Sequence, residues 1–264
     1  MAKPKIRTWA NAVGALLLGL GAQLASAESL IEPLPPLQFV EQVDWPPFTP
    51  KAQGQTQEGL AFELLQLIFS QFGRSAQLEL LPLAQVLERA KLGQTDGISV
   101  THLDERRITY LAYSEPLLLK RAFVYYQSNR PVPAGLLDWD STQNLRLGVV
   151  KNRSFGPLFQ RQRTQLPMEL VEVDSLEQLF KLTADGTLNG FLAYELNAAA
   201  LLRQPAYQGK ISRMPTAYYE NAYYLAVGRH SAGMKLLPQI DKAIGQLRES
   251  GQLGALLQRY GATD

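Results

Sequence analysis

Two successive series of short apolar runs alternating with amphipathic stretches, in one chain, restrict the fold more than any single motif does. In the first series Leu37 to Gln42 reads as a strand that ends at the turn-rich Asp44-Trp45-Pro46-Pro47-Phe48. Gly59 to Phe72 then places Leu60, Leu64, Leu65, Ile68 and Phe72 on one stripe, because residues three and four apart share a helix face. Leu78 to Leu81 reads as a strand, Ala84 to Leu92 as a helix stopped by Gly93, and Gly97 to Val100 as a strand before the charged turn Asp104-Glu105-Arg106-Arg107. After a strand at Ala122 to Gln127, the segment Ser128 to Thr142 has the Pro, Gly and polar content of a connection. The second series runs strand Leu145 to Val150, helix Phe155 to Arg163, strand Met168 to Val173, and a helix opened by Ser175 with Gln178 at capping-box spacing. A strand at Gly190 to Ala193, a helix from Glu195 to Leu202 and strands around Ile211 to Met214 and Ala222 to Val227 follow, and the tail is helical with a break at Gly251. This order predicts an α/β protein with helix-covered sheets. A last strand able to pair back on the first series predicts two lobes joined by two crossings, with a cleft between them.

At 264 residues the chain is long enough for two lobes of about 100 to 150 residues each. It contains no Cys, which removes disulfides, thiolate nucleophiles, Cys-ligated zinc and iron–sulfur clusters together. With His102 and His230 as the only histidines, a His-rich metal site is not expected either. No GxSxG, GxxxxGKS/T or HExxH motif occurs, and no cofactor is expected.

The first 27 residues read as an export signal: Lys3, Lys5 and Arg7, an apolar core from Val13 to Ala22, and the small-x-small sequence Ala25-Ser26-Ala27, with cleavage expected after Ala27. Ten uninterrupted apolar residues fall short of the ~20 a membrane span needs. The whole chain has 26 Lys+Arg and 24 Asp+Glu; the signal holds three of the basic residues and none of the acidic ones, so 23 against 24 remain. A near-neutral mature chain gives no electrostatic reason to expect nucleic acid or anionic lipid as partner. The expected location is the periplasm.

Six short motifs stand in register along the chain. They are WPPF at Trp45 to Phe48; Gly59-Leu60-Ala61-Phe62-Glu63 at a helix start; Pro82 with Gly93 and Asp96 after it; Arg107 ahead of Ser114-Glu115-Pro116; Leu147-Gly148-Val149-Val150; and Gly186 to Ala193. Together they resemble the family 3 extracellular solute-binding proteins of bacterial polar amino acid uptake, over roughly residues 37 to 262. The resemblance implies a two-lobed periplasmic-binding-protein-like fold (type II). Lobe 1 would comprise residues 28–118 and 222–264, lobe 2 residues 119–221, and hinge strands would lie near Leu117 to Arg121 and Tyr219 to Tyr223. It further implies capture of a small polar ligand, amino-acid-like or a carboxylate, by hinge closure for uptake by an ABC transporter. The expected partners are that ligand and a membrane permease or receptor, and the expected state is a monomer without enzymatic activity.

The same resemblance implies the ligand contacts. An Arg in the turn before Ser114 forks onto the ligand's carboxylate, a planar pairing that Lys cannot reproduce. Counting back from Ser114 selects Arg107 and counting forward from Thr101 selects Arg106; the ungapped match through ITYLAYSEP favours Arg107. Trp45 and Phe48 would wall the cleft, although a core-packed turn is an equal reading for Phe48. Ser99, Thr101 and His102 lie on the strand end before Arg107. In lobe 2 the pattern departs. The family's Gly-Thr-Thr-like loop is Lys151-Asn152-Arg153-Ser154, with Ser154 a substitute hydroxyl and Arg153 an added charge. The family's ammonium-binding Asp falls on Tyr194, with Glu195 next, which is either a shifted substitute or an acidic first-turn residue. These departures weaken the assignment of a standard L-amino acid more than they weaken the fold, and leave a dicarboxylate, a modified amino acid or a small peptide-like molecule open. Two alternatives from other classes are a sensing subunit for a membrane receptor and a dehydratase on prephenate-like acids, for which Glu195 and His102 are the acid–base candidates.

Overall fold

The computed structural model of the chain describes residues 34–131, 145–164 and 168–262, and of residue 162 the backbone alone. The expected export signal, residues 1–27, and most of the connecting segment lie outside the described residues. The architecture below is that of the unit from Pro36 onward.

The first series forms β1 (Leu37–Gln42), β2 (Gly54–Thr56), α1 (Leu60–Ser70), β3 (Ala76–Leu81), α2 (Leu83–Leu92), β4 (Gly97–Thr101) and β5 (Leu111–Gln127). The second forms β6 (Arg146–Val150), α3 (Gly156–Gln162), β7 (Glu169–Val173), α4 (Leu176–Ala184), β8 (Gly190–Tyr194), α5 (Glu195–Leu202) and β9 (Ile211–Arg213). The chain ends with β10 (Tyr219–Gly228), a 3-10 turn at Ala232–Leu236, α6 (Leu237–Glu249) and α7 (Gln252–Tyr260). Among the described residues the strands lie in the order β2-β3-β1-β4-β10-β5-β8-β6-β7, with β9 beside β5. β1 is parallel to β3 and β4, and β6 to β7 and β8, pairings that need the crossovers the intervening helices supply.

Local chemistry explains several boundaries. Gly93 ends α2 in the left-handed region at φ 70, where its N–H reaches the Arg89 and Ala90 carbonyls. Ser175 opens α4 as the spacing predicts: its hydroxyl accepts from the Gln178 N–H at 3.2 Å, and Gln178 Oε1 accepts from the Ser175 N–H. α1 has no side-chain cap. The carbonyls of Pro47 and Phe48 receive the first N–H groups of the helix, from Leu60 and Ala61, both at 3.1 Å. Gly59 permits this approach, since its φ is 92 and a Cβ there would collide with the Phe48 carbonyl.

β5 is longer than the sequence suggested. The expected strand at Ala122 to Gln127 and the expected hinge strand near Leu117 to Arg121 are the end of one 17-residue strand that begins at Leu111, interrupted in register and not in continuity. Its Pro116, which has no N–H to donate, stands where the pairing with β10 slips between Tyr223 and Tyr224. At the next slip the Ser114 hydroxyl accepts from the Leu225 N–H at 3.1 Å, replacing a ladder carbonyl. β5 and β10 are antiparallel partners from Leu111 to Ala122, so the two expected hinge strands lie side by side.

The cores follow the lobes. In lobe 1, α1, α6 and α7 bury Leu65, Ile68, Phe69, Ile244 and Leu253 on one face of the sheet, and α2 covers Val40, Ile98 and Leu111 on the other. Lobe 2 has two smaller clusters, one around Phe155 and Phe159 beside α3, the other around Tyr125, Phe180 and Phe191 beneath α4. No helix of the described residues is long and apolar enough to cross a membrane.

Candidate functional site

Three adjoining cavities run along the cleft between the lobes, and Trp45 and Arg153 line all three. The cavity of about 190 Å³ against lobe 1 is lined by Glu41, Thr101, His102 and Arg107 among others. A narrow middle part meets Lys120, Tyr194 and Glu195, and a cavity of about 380 Å³ reaches along lobe 2 past Phe155 to Asn197.

The lobe 1 wall is built at the carboxyl ends of β1 and β4. Trp45 stacks on Phe48 at 4.2 Å between ring centroids, and both meet the Tyr223 ring edge-on. Phe48 is buried in the lobe 1 core and backs Trp45, whose ring takes the wider share of the cleft. The turn after β4 sorts the two arginines. Arg106 is 87 % exposed and closes bidentately on Asp104, through Nε at 3.0 Å and Nη2 at 2.8 Å. Arg107 is 14 % exposed, is held at 3.4 Å by the same carboxylate and at 3.4 Å by the Thr101 hydroxyl, and lines the cleft. The Arg106 guanidinium holds the Asp104 carboxyl well below the usual range, so Arg107 is braced by a permanent anion. His102 is exposed; partial burial, Arg107 and Lys120 together press its pKa down, which favours the neutral ring.

Ser99 points away from the role expected of it. Its hydroxyl donates to Glu41 Oε2 at 2.8 Å, an oxygen that also accepts from the Val100 N–H, while Glu41 Oε1 accepts from the Gln42 N–H. Glu41 is 3 % exposed, and burial pushes its pKa up to about 7 against these three hydrogen bonds. Reading the sequence missed this residue: the two-residue period does place Glu41 on the face of Leu37 and Phe39, but its partners Ser99 and Val100 are distant in the chain.

The lobe 2 wall departs from the expectation in kind. Glu195, first residue of α5, is buried with an arginine on each oxygen: Arg121 Nε at 3.1 Å on Oε2 and Arg213 Nη1 at 2.5 Å on Oε1. It is bound within its own chain. Ser154 is exposed, does not line these cavities, and its carbonyl accepts from the Tyr194 hydroxyl. That bond holds the loop bearing Arg153 against the N-cap of α5. Lys120 was also missed; it lies on the crossing strand with Nζ 4.2 Å from the Tyr194 ring centroid and 5.4 Å from that of Tyr223. Burial and Arg153 lower its pKa to about 8. Asn197 donates to the Pro46 carbonyl at 2.5 Å and so ties lobe 2 to the Trp45 turn. Among the described residues no three His, Asp or Glu side chains gather in a way that could hold a metal ion.

A sheet shared by two α/β lobes, with converging polar groups in the cleft between them, defines a bilobal binding protein. The chain belongs to the bacterial extracellular solute-binding proteins, family 3, whose model matches residues 37–263. Among solved structures it is similar to substrate-binding domain 2 of Lactococcus lactis GlnP in its open conformation, at a TM-score of 0.70 and 14 % identity, covering 86 % of this chain and 96 % of that one. The probable amino-acid ABC transporter extracellular-binding protein YtmK of Bacillus subtilis gives 0.67 and 11 %, covering 86 % and 97 %. The periplasmic VFT2 domain of Bordetella pertussis BvgS gives 0.58 and 16 %, covering 85 % and 92 %. Comparison with curated protein sequences returned no match.

Proposed function

We propose that the protein is an extracytoplasmic solute receptor that captures a small carboxylate-bearing molecule between its lobes, without transforming it, and presents it to a membrane permease. The observation that carries this reading is Arg107: a guanidinium mostly withdrawn from solvent, braced by Asp104 and Thr101, and turned to a cleft whose opposite wall holds Arg153. A fork so oriented suits a planar carboxylate, and closure lets both lobes desolvate it. The paired β5 and β10 strands would supply the hinge. Of the two acid–base candidates for dehydration, Glu195 is tied between two guanidinium groups within its own chain. The BvgS likeness supports a second destination for the closed form, a membrane receptor in place of a permease.

The test is a thermal-shift panel of amino acids, mono- and dicarboxylates, polyamines and short peptides on residues 28–264. A ligand at about 100 times its Kd adds about 2.7 kcal/mol and should raise the midpoint by several degrees. Arg107→Ala should abolish the shift while moving the unliganded midpoint little, because Arg106 still holds Asp104. Silence from the entire panel, or a shift that survives Arg107→Ala, overturns the reading.

A further inference from the structure

We propose that the cleft selects a dicarboxylate without a free amino group: one carboxylate on Arg107, the other between Lys120 and Arg153. The inference rests on the solute-receptor reading above and narrows its ligand class. Its basis is a mismatch between the cations and the anions that reach the cleft. Among the described residues neither Lys120 nor Arg153 has an ion-pair partner, and both line the same middle section. Lys120 instead lies over the faces of Tyr194 and Tyr223, half withdrawn from water, where burial and the Arg153 charge make its proton easier to lose. An anion there would relieve both effects. Trp45, Arg153 and Tyr223 line both this section and the adjoining cavity that holds Arg107, so the two cationic positions share one continuous wall.

An ammonium group needs an open carboxylate or several open acceptors, and the acidic groups at the cleft are engaged. Glu195 has a guanidinium on each oxygen. Glu41 already accepts three hydrogen bonds and is almost wholly buried. Asp174, at the lobe 2 end, pairs with Lys151 at 2.7 Å. At the middle section, which Asp174 does not line, a ligand amine would displace a guanidinium from Glu195 or enter beside Lys120 and Arg153 without an anion of its own, and both are unfavourable.

Calorimetric titration with glutarate, L-glutamate and butyrate separates the outcomes. Glutarate should bind at least tenfold more tightly than L-glutamate, which has the same two carboxylates and an added ammonium, and more tightly than butyrate. Lys120→Gln and Arg153→Gln should each weaken glutarate at least tenfold and leave butyrate within about threefold. L-Glutamate binding as tightly as glutarate overturns the inference and leaves the solute-receptor reading standing, as does a tightly binding neutral or cationic amino acid in the wider panel. The comparison of glutarate with L-glutamate uses the unaltered protein and so holds even if a variant fails to fold.

Discussion

The two walls of the cleft use the same pair of side-chain types in opposite senses. In lobe 1 an anion stands behind a cation: Asp104, fixed by Arg106, braces Arg107 toward the cleft. In lobe 2 cations stand around an anion: Arg121 and Arg213 close on Glu195, and the charges without an ion-pair partner among the described residues are the neighbouring Lys120 and Arg153. The contrast teaches that an acidic or basic residue at a cleft is informative only with its partners known. Glu195 follows β8 directly and Arg107 lies in the turn after β4, both at the cleft, but one is a structural tie and the other presents its charge to the cleft.

The largest test of this contrast is Glu195→Ala. Removing the carboxylate from between two mostly buried guanidinium groups should lower stability by about 3 to 5 kcal/mol, as for other broken buried pairs, and bring the midpoint down by about 10 °C. A loss below about 1 kcal/mol in urea unfolding would mean that Glu195 is not a tie, and the two walls would no longer differ. A middle-sized test concerns Glu41. Its pKa is 4.5 ordinarily and about 7 in the folded chain, so the folded form holds an extra proton between those values. The stability this group contributes is complete below pH 4.5 and is lost as the pH rises through 7, on the order of 3 kcal/mol in all. Glu41→Gln should therefore flatten that part of the pH–stability curve, and curves that stay parallel from pH 4.5 to 8 would show the carboxyl to be ordinary. The smallest effect is expected from Arg106→Ala. An ion pair so exposed on its cationic side is screened by water, so the melting midpoint should barely move and ligand affinity should change by less than about threefold. A large loss of affinity would give Arg106 the part assigned to Arg107.

The order of elements was legible in the sequence because periodicity, the Gly93 stop and the Ser175 capping box are local signals, and the ungapped count back from Ser114 favoured Arg107. Partners distant in sequence were not legible. Nothing near Glu195 announces Arg121, which belongs to the crossing strand, and nothing near Lys120 announces the Tyr194 and Tyr223 rings. The continuity of β5 through Pro116 was not legible either, and the slip in register against β10 shows how a residue without an N–H is accommodated there. β2, three residues long, is too short for a periodic signal.

The position of β10 sets an order of completion on the molecule. It lies between β4 and β5, inside the sheet and not at its edge, although it is the last strand in the chain. An N-terminal fragment ending before Tyr219 has every strand of the second lobe, in one unbroken stretch, but leaves two facing edges open in the first. The lobe that begins the chain is thus the one that must wait for its end, and a shortened product would display unpaired strand edges beside the Arg107 turn.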